Sequence, residues 1–317
     1  LIKDKFNNIF PFINQSIDLT RNMDLALAST VIGFSNYLKL IKPDLIVVHG
    51  DRLEALAGSI VGAMNNIKIA HIEGGEVSGT IDDSIRHAVS KLSHIHFVSN
   101  EVSKKRLLQM GENENSIYII GSPDIDIMLS DTLPDLNDVL KHYSIIFKDY
   151  GIFLYHPVTT EISNLSVQIE EIINAMVKSN KNYIVIHPNN DRGRDIIYRS
   201  ILKKLTNNTK FRILPSLRFE NFLILLKNSE FILGNSSAGI IEAPVYGIPT
   251  INIGSRQNKR VNNEKIINVN PISEEIIKAI KKSKLYEPEL FFGDGNSATL
   301  FMKYINNGEL WNLDIQK

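Results

Sequence analysis

Short apolar runs rich in valine and isoleucine alternate along this chain with segments of helical periodicity, and that rhythm restricts the fold more than any other feature. "PDLIVVHG" reads as a strand ending at Gly50, and "RLEALAGSIVGAMNN" reads as a helix. "IKIAHIE", "HIHFVSN" and "SIYIIGSP" continue as strands. "DDSIRHAVSKLS" and "EVSKKRLLQMG", the latter stopped at Gly111, lie between them as helices. Strands of this length separated by amphipathic helices make a parallel, doubly wound sheet. A polar stretch, "SDTLPDLNDVLKHYS", marks a boundary near residues 130–150. The rhythm then restarts with "GIFLYHP", "LSVQIEEIINAMVKS", "NYIVIHPN", "RDIIYRSILKKL", "FRILP", "FENFLILLKNS", "EFILGNSS", "AGIIEAPVYG" and "PTINIG", and it closes on the helices "EEIIKAIKKS" and "TLFMKYINN". The chain is therefore expected to be α/β with two Rossmann-like domains, residues 1–145 and 146–295, followed by a helical segment at 296–317. Ligand is expected in the interdomain cleft, at the carboxyl ends of the strands.

Composition narrows the function classes. A length of 317 residues fits two domains of ordinary size, and 43% hydrophobic with 22% charged residues fits a globular protein with real cores. Lys+Arg and Asp+Glu are both 35, so neither a nucleic-acid footprint nor a polybasic membrane patch is indicated. The chain has no cysteine. That excludes disulfides, thiolate zinc sites and a cysteine nucleophile, and it favours a cytoplasmic setting. No apolar run reaches the roughly 18 residues that a membrane span needs, and the start shows no signal peptide. The first residue is Leu1, and "LIKDKFNNIF" opens inside neither a strand nor a capped helix, so further N-terminal residues are expected to precede it.

Three polar clusters follow predicted strands. "HGDR" follows "LIVV", "EGGEVSGTIDD" follows "IAHI", and "GNSS" follows "FIL". In the last, Gly234, Asn235, Ser236 and Ser237 lead into a predicted helix. Small residues there would let a phosphate approach backbone N–H groups at the positive end of the helix. An ordinary serine cap explains the same residues. Glu242, about a turn and a half into that helix, reads either as an acceptor for ribose hydroxyls or as part of a solvated face. No Walker A motif is present, so this is not a P-loop. "YHPV" and "IHPN" place His156 and His187 at strand ends, where each could donate to a diphosphate, exchange a proton near neutral pH, or serve structure alone. "HIH" sets His94 and His96 on one strand face as a possible metal pair. The sequence offers no third ligand.

Asp82 and Asp83 stand where an N-terminal cap belongs, ahead of "SIRHAVSKL", and the cap accounts for one of them. It does not account for Glu73, which follows an apolar strand directly and should face the mouth of the cleft. With Asp51 at the neighbouring strand end it forms a candidate proton-transfer pair. Metal binding by these acids alone would more often show a D-x-D spacing.

"VVHGDR" followed by "HIEGGEVSGTIDDSIRHAVSKLSHIHF" closely resembles the hydrolysing UDP-N-acetylglucosamine 2-epimerases of sialic-acid biosynthesis. "HPVTT", "HPNND", "GNSSAGIIEAPVYGIPTINIGSRQNKR" and "YEPELFFGDGN" fall in that family's order, so the resemblance covers essentially the whole chain. The non-hydrolysing branch carries instead an "EAGLRT"-like segment and a Pro-Glu-Glu motif. The resemblance implies a GT-B-like fold whose C-terminal helices cross back onto the first domain. It also implies the reaction of UDP-GlcNAc and water to ManNAc and UDP, by elimination to 2-acetamidoglucal and then addition of water. It assigns the proton chemistry to Asp51 and Glu73, without dividing base from acid, and places Arg52 and Asp82 near the sugar. It gives His156 to departure of UDP, Ser236 and Ser237 to the phosphates, Glu242 to the ribose, Arg256 to the nucleotide and Asn189 to a weaker sugar contact. It leaves His94 and His96 structural. It implies no metal and no cofactor, no nucleic-acid or membrane partner, and a homodimer or homotetramer.

One departure is the absence of the family's first strand and its "TGTRAEYG"-like turn. Roughly sixty residues, a full βαβ unit in scale, are expected to be missing from the N-terminal domain. No kinase half follows the epimerase region, which points to a bacterial or archaeal form. Three rival functions share some of these features. One is the same chemistry on a UDP-2,4-diacetamido-2,4,6-trideoxy sugar, en route to legionaminic acid. Another is glycosyl transfer on a GT-B fold, against which "EGGEVSGTIDD" argues. The third is a catalytically silent sugar-nucleotide sensor, against which the presence of both Asp51 and Glu73 argues.

Overall fold

The computed structural model describes residues 23–77, 81–158, 161–189, 192–257 and 264–314. The opening "LIKDKFNNIF", the Ser-Gly-Thr of "EVSGT", the paired threonines of "HPVTT", "ND" of "HPNND" and "NKR" of "RQNKR" lie outside them. The chain divides into two compact units. One is Leu1–Glu76 with Ile81–Ile119 and Tyr304–Lys317, and the other is Val77–Thr80 with Ile120–Lys303.

The first unit runs α1 (Met23–Ile41), β1 (Leu45–His49), α2 (Leu53–Met64), β2 (Lys68–Ile72), α3 (Ile81–Leu92), β3 (Ile95–Val98), α4 (Glu101–Gln109) and β4 (Ile117–Ile119). Its four strands are parallel in the order β1-β2-β3-β4. β3 is buried along its whole length, as its unbroken "IHFV" requires, whereas β1 at the edge alternates. Ile46, Val48, Ile69, Ile85 and Val89 join sheet to helices in one core. Helix α4 shows how local chemistry fixes its ends. The Asn100 side chain caps the N–H of Ser103 at 3.0 Å. Gly111, at φ +83°, ends the helix, and the Glu112 N–H returns to the Leu107 carbonyl.

The second unit contains α5 (Pro123–Met128), α6 (Leu136–His142), β5 (Gly151–Leu154), α7 (Leu165–Lys178), β6 (Tyr183–Ile186), α8 (Arg194–Leu205), β7 (Phe211–Leu214), α9 (Phe219–Lys227), β8 (Phe231–Gly234), α10 (Glu242–Val245), β9 (Thr250–Ile253), β10 (Ile266–Val269), α11 (Ser273–Lys282) and most of α12 (Ser297–Ile305). Its six parallel strands run β10-β9-β8-β5-β6-β7. Both faces of the sheet are covered, so β6, β8 and β9 are buried throughout. Each fully buried Ile, Leu, Val or Phe contributes about 1.5–3 kcal/mol. Residues Tyr304 onward return to the first unit. There the Tyr304 ring meets Tyr118 at 4.4 Å between centroids, and α13 (Gly308–Trp311) buries Leu310. Lys68 donates to the main-chain oxygens of Trp311 and Leu313 just beyond.

The sequence differs from the structure in four places. The division falls after Ile119 rather than at residue 145. Val139, Leu140 and Ile145, in the stretch read as a polar linker, are buried with Ile152, Leu223 and Leu226 of the second unit, as are Ile125 and Met128 just before it. Helix α1, the short helices α5 and α6, and strand β10 carry no signal that the sequence reading used. Asp82 and Asp83 are not caps: α3 begins at Ile81, so both sit in its first turn, where the helix dipole favours acids. Finally, no continuous helix follows "GNSS". A single turn of 3₁₀ helix at Ser237–Gly239 is followed by the four-residue α10. Pro244 is the cause, because in a helix starting at Ser237 its ring would meet the Ile240 carbonyl. Restarting at Glu242 puts the proline in a first turn, where it is tolerated.

Candidate active site

The first constellation gathers at the carboxyl ends of β1 and β2. Gly50, at φ +73°, turns the chain away from β1. Its N–H donates to Ile72 O at 3.0 Å, and its carbonyl accepts from His71 Nε2 at 2.9 Å. His71 Nδ1 then accepts from Ser90 Oγ at 3.0 Å. This imidazole is fully buried, and burial pushes its pKa down to about 3. It is a neutral strut beneath the turn that presents Asp51. Gly74 is required here: a Cβ would lie 2.9 Å from both His71 Nδ1 and Ser90 Oγ.

Glu73 holds a left-handed backbone at φ +63°, a conformation that costs a non-glycine residue on the order of 1 kcal/mol. Its N–H donates to Phe97 O at 2.8 Å, and its carboxylate lies 2.9 Å from His49 Nε2. Arg86, on α3 and only 4% exposed, joins the two acids. One guanidinium nitrogen donates to Asp51 Oδ2 and another to Glu73 O at 2.8 Å. Arg106 donates to Gly75 O, and Ser99 Oγ donates to Glu76 Oε1 at 2.6 Å. Two arginines thus hold the 73–76 turn by its carbonyls, and Asp51 and Glu73 are bound into one network. Asp82 lies in the first turn of α3, and exposed Arg52 precedes α2.

The second constellation lies at the carboxyl ends of β5, β6 and β8. The register pairs Leu154 with both Ile186 and Gly234, so the residues just past these strands converge. The buried side chain of Asn235 accepts from the His156 N–H at 2.7 Å and donates to His156 O at 2.8 Å. The Asn189 N–H donates to His156 Nδ1 at 3.1 Å. Arg256 Nη1 and Gln257 Nε2 both donate to Asn235 O, each at 3.1 Å. Ser236 Oγ accepts from Ala238 N at 3.3 Å, Ser237 starts the 3₁₀ turn, and Glu242 starts α10. His156, Asn189 and Arg256 are therefore linked through Asn235, with Ser236 and Ser237 next in sequence.

The remaining histidines have other partners. His94 Nδ1 accepts from the Ile69 N–H at 3.1 Å, and His96 Nε2 lies 3.0 Å from the buried carboxylate of Glu112. His187 packs edge-on against Tyr198, and burial lowers its pKa. Among the described residues, no group of three or more His, Asp or Glu is arranged to hold a metal ion, and no helix is long and apolar enough to cross a membrane.

Sequence reasoning missed Arg86, His49, His71, Asn235 and Gln257. Arg86 had one available signal, since it lies four residues after Asp82 and so shares its helix face. Asn235 stood inside a motif read only for its serines.

Residues 4–306 match the UDP-N-acetylglucosamine 2-epimerase family. The chain is 44% identical to the UDP-N-acetylglucosamine 2-epimerase of Neisseria meningitidis serogroup B, over 99% of this chain and 84% of that protein. It is 34% identical to the hydrolyzing UDP-N,N'-diacetylbacillosamine 2-epimerase of Legionella pneumophila, over 87% of this chain and 74% of that protein. The crystal structure of Methanocaldococcus jannaschii UDP-GlcNAc 2-epimerase, in complex with UDP-GlcNAc and UDP, superposes with a TM-score of 0.78 at 24% identity, over 96% of this chain and 86% of that one. That similarity establishes the fold, two Rossmann-like domains of GT-B-like type. With the family match and the Neisseria alignment both spanning nearly its whole length, this chain belongs to the UDP-N-acetylglucosamine 2-epimerase family.

Proposed function

We propose that this protein is a hydrolysing UDP-GlcNAc 2-epimerase, converting UDP-GlcNAc and water to ManNAc and UDP for sialic-acid biosynthesis. The observation that carries the reading is the Asp51–Arg86–Glu73 network: two acidic residues at adjacent strand ends, tied together by one buried guanidinium that donates to the Asp51 carboxylate and to the Glu73 main-chain carbonyl. On this reading one carboxylate takes the proton from sugar C2 as the C1–O bond to UDP breaks, leaving a C1–C2 double bond. Water oxygen then adds at C1, and a proton is delivered to C2 on the opposite face. A placed base and a stabilised leaving group are what such a weakly acidic C–H requires. His156 donates to the departing diphosphate, and Ser236, Ser237 and Arg256 hold the nucleotide phosphates. Glu242 accepts the ribose hydroxyls, and Arg52, Asp82 and Asn189 contact the sugar. A homodimeric or homotetrameric, cytoplasmic enzyme is part of the same reading, supported by the family resemblance and the absence of cysteine.

The Legionella relative, named for a diacetylated sugar, supports a second reading in which the same chemistry acts on UDP-2,4-diacetamido-2,4,6-trideoxyglucose. The higher identity to the Neisseria enzyme favours UDP-GlcNAc. Incubation with each sugar in D₂O, followed by proton NMR, tests both. Release of ManNAc and UDP with deuterium at C2 is the expected result. Turnover of the diacetamido substrate alone would move the substrate while keeping the chemistry. Silence on both would overturn the reading.

A further inference from the structure

Tyr155 stands immediately before His156, and Ser255 stands immediately before Arg256. The two are joined by a chain of three hydrogen bonds that runs through Gln168 and Glu161. Tyr155 OH donates to Gln168 Oε1 at 3.4 Å, and Gln168 Nε2 donates to Glu161 Oε2 at 3.2 Å. From the other side, Ser255 Oγ donates to Glu161 Oε1 at 2.7 Å. Every donor in the chain points toward Glu161, and each of its carboxylate oxygens accepts once.

The chain has a fixed end and a held end. Tyr155 is 2% exposed and belongs to the core of the second unit. Burial, reinforced by the Glu161 carboxylate, pushes its phenol up to about 12, so it remains an O–H donor at neutral pH. Gln168 lies on α7, whose buried residues pack in the same core. The main chain of Glu161 is held as well: its N–H donates to Val158 O at 2.9 Å, and its carbonyl accepts from Asn164 N at 3.1 Å. Ser255, by contrast, is exposed. It follows Gly254, which takes φ +78° where β9 ends. A hydrogen bond to an ionised acceptor is about twice as strong as a neutral one, which suits a contact that must compete with water. The carboxylate is matched to its two partners, since both present donors. An amide in its place would accept from one and set an N–H against the other.

We propose that Glu161 is a positioning residue for the nucleotide site: through Ser255 it holds the segment that carries Arg256 against the strand end that carries His156. The inference deepens the proposed function and rests on it for the identity of the ligand; the hydrogen-bond chain does not depend on it. Because Tyr155 is anchored in the core and Ser255 is not, loss of the carboxylate frees the Arg256 side of the link, and the effect falls on nucleotide binding.

Two readouts test it, one with ligand and one without. In calorimetry, E161A should weaken UDP binding about 10-fold, the loss expected for one hydrogen bond to a charged group. S255A should weaken it similarly, and the double variant E161A/S255A should bind no more weakly than E161A alone, because both changes break one link. S255T, which keeps the hydroxyl, should restore affinity. In turnover, the loss should appear in KM rather than kcat. In the ligand-free protein, hydrogen–deuterium exchange of peptides covering residues 250–257 should quicken in E161A and S255A alike. Parental UDP affinity in E161A or S255A would overturn the proposal, as would losses that add in the double variant. A parent that bound no UDP would overturn the proposed function, and exchange would then decide the link by itself: faster exchange in both variants upholds it, and parental exchange overturns it.

Discussion

The guanidinium of Arg86 donates to the carboxylate of Asp51, and its second terminal nitrogen donates to the main-chain oxygen of Glu73 at 2.8 Å. One side chain from α3 therefore sets the separation of two acids carried by different strand ends. Arg86 is almost fully buried, while Asp51 retains some access to water. Removing the cation leaves a carboxylate short of its partner and a carbonyl short of its donor.

R86M should cost on the order of 3 kcal/mol of stability, read by urea unfolding, and should lower turnover far more than UDP affinity. R86K keeps the charge but cannot fork to both acceptors, so it should recover stability better than activity. An R86M enzyme turning over like the parent would show that the bridge is architectural only.

Substituting either acid by its isosteric amide removes proton exchange while keeping shape and most hydrogen bonding. D51N and E73Q should each lower kcat by about 10²–10⁴-fold, with UDP affinity, measured by calorimetry, unchanged. If either variant retains parental turnover, that carboxylate has no part in the proton chemistry.

The strand-end clusters were legible from the sequence because a parallel sheet leaves no other place for polar residues that follow apolar runs. Asp51, Glu73 and His156 were picked out as candidates in that way, and each does follow a strand end. What the sequence concealed is the contacts across the sheet. Arg86 is thirteen residues from Glu73 and 35 from Asp51, and no local periodicity announces that its head group turns inward. Asn235 and His156 are 79 residues apart and meet only because β5 and β8 are neighbours. The polar stretch at 130–145 misled for a related reason: its aliphatic residues, Leu133, Leu136, Val139, Leu140 and Ile145, are the ones that dock, and the charges around them remain in water.

Gly234 and Gly254 both take positive φ, at +143° and +78°, yet they differ in surroundings. A Cβ at Gly234 would lie 2.0 Å from the Leu154 carbonyl, whereas a Cβ at Gly254 meets nothing within 4 Å. G254A should therefore cost only its backbone strain, about 1–2 kcal/mol. G234A must push β8 off β5 where the two strands hold Asn235 against His156, and it should cost more than about 4 kcal/mol. Thermal unfolding of the pair checks the contrast. Equal losses would mean that the strand ends yield easily.

His71 links the site to pH. Burial lowers its pKa from 6.5 to about 3. Below pH 6.5 the unfolded chain takes up a proton that the folded chain refuses until about pH 3. The contribution to stability is therefore complete above 6.5 and is lost as the pH falls, by up to about 1.4 kcal/mol per unit. His87 and His187, also lowered by burial, act in the same direction. H71Q retains a donor for the Gly50 carbonyl but cannot titrate. Carboxylates that protonate in acid affect both proteins alike, so the difference between them isolates the imidazole. Between about pH 7.5 and about pH 5, the parent should lose about 2 kcal/mol more than H71Q in urea unfolding. Parallel losses would show that the His71 ring takes up its proton in the folded protein, and the account of it as a neutral strut under Asp51 would fail.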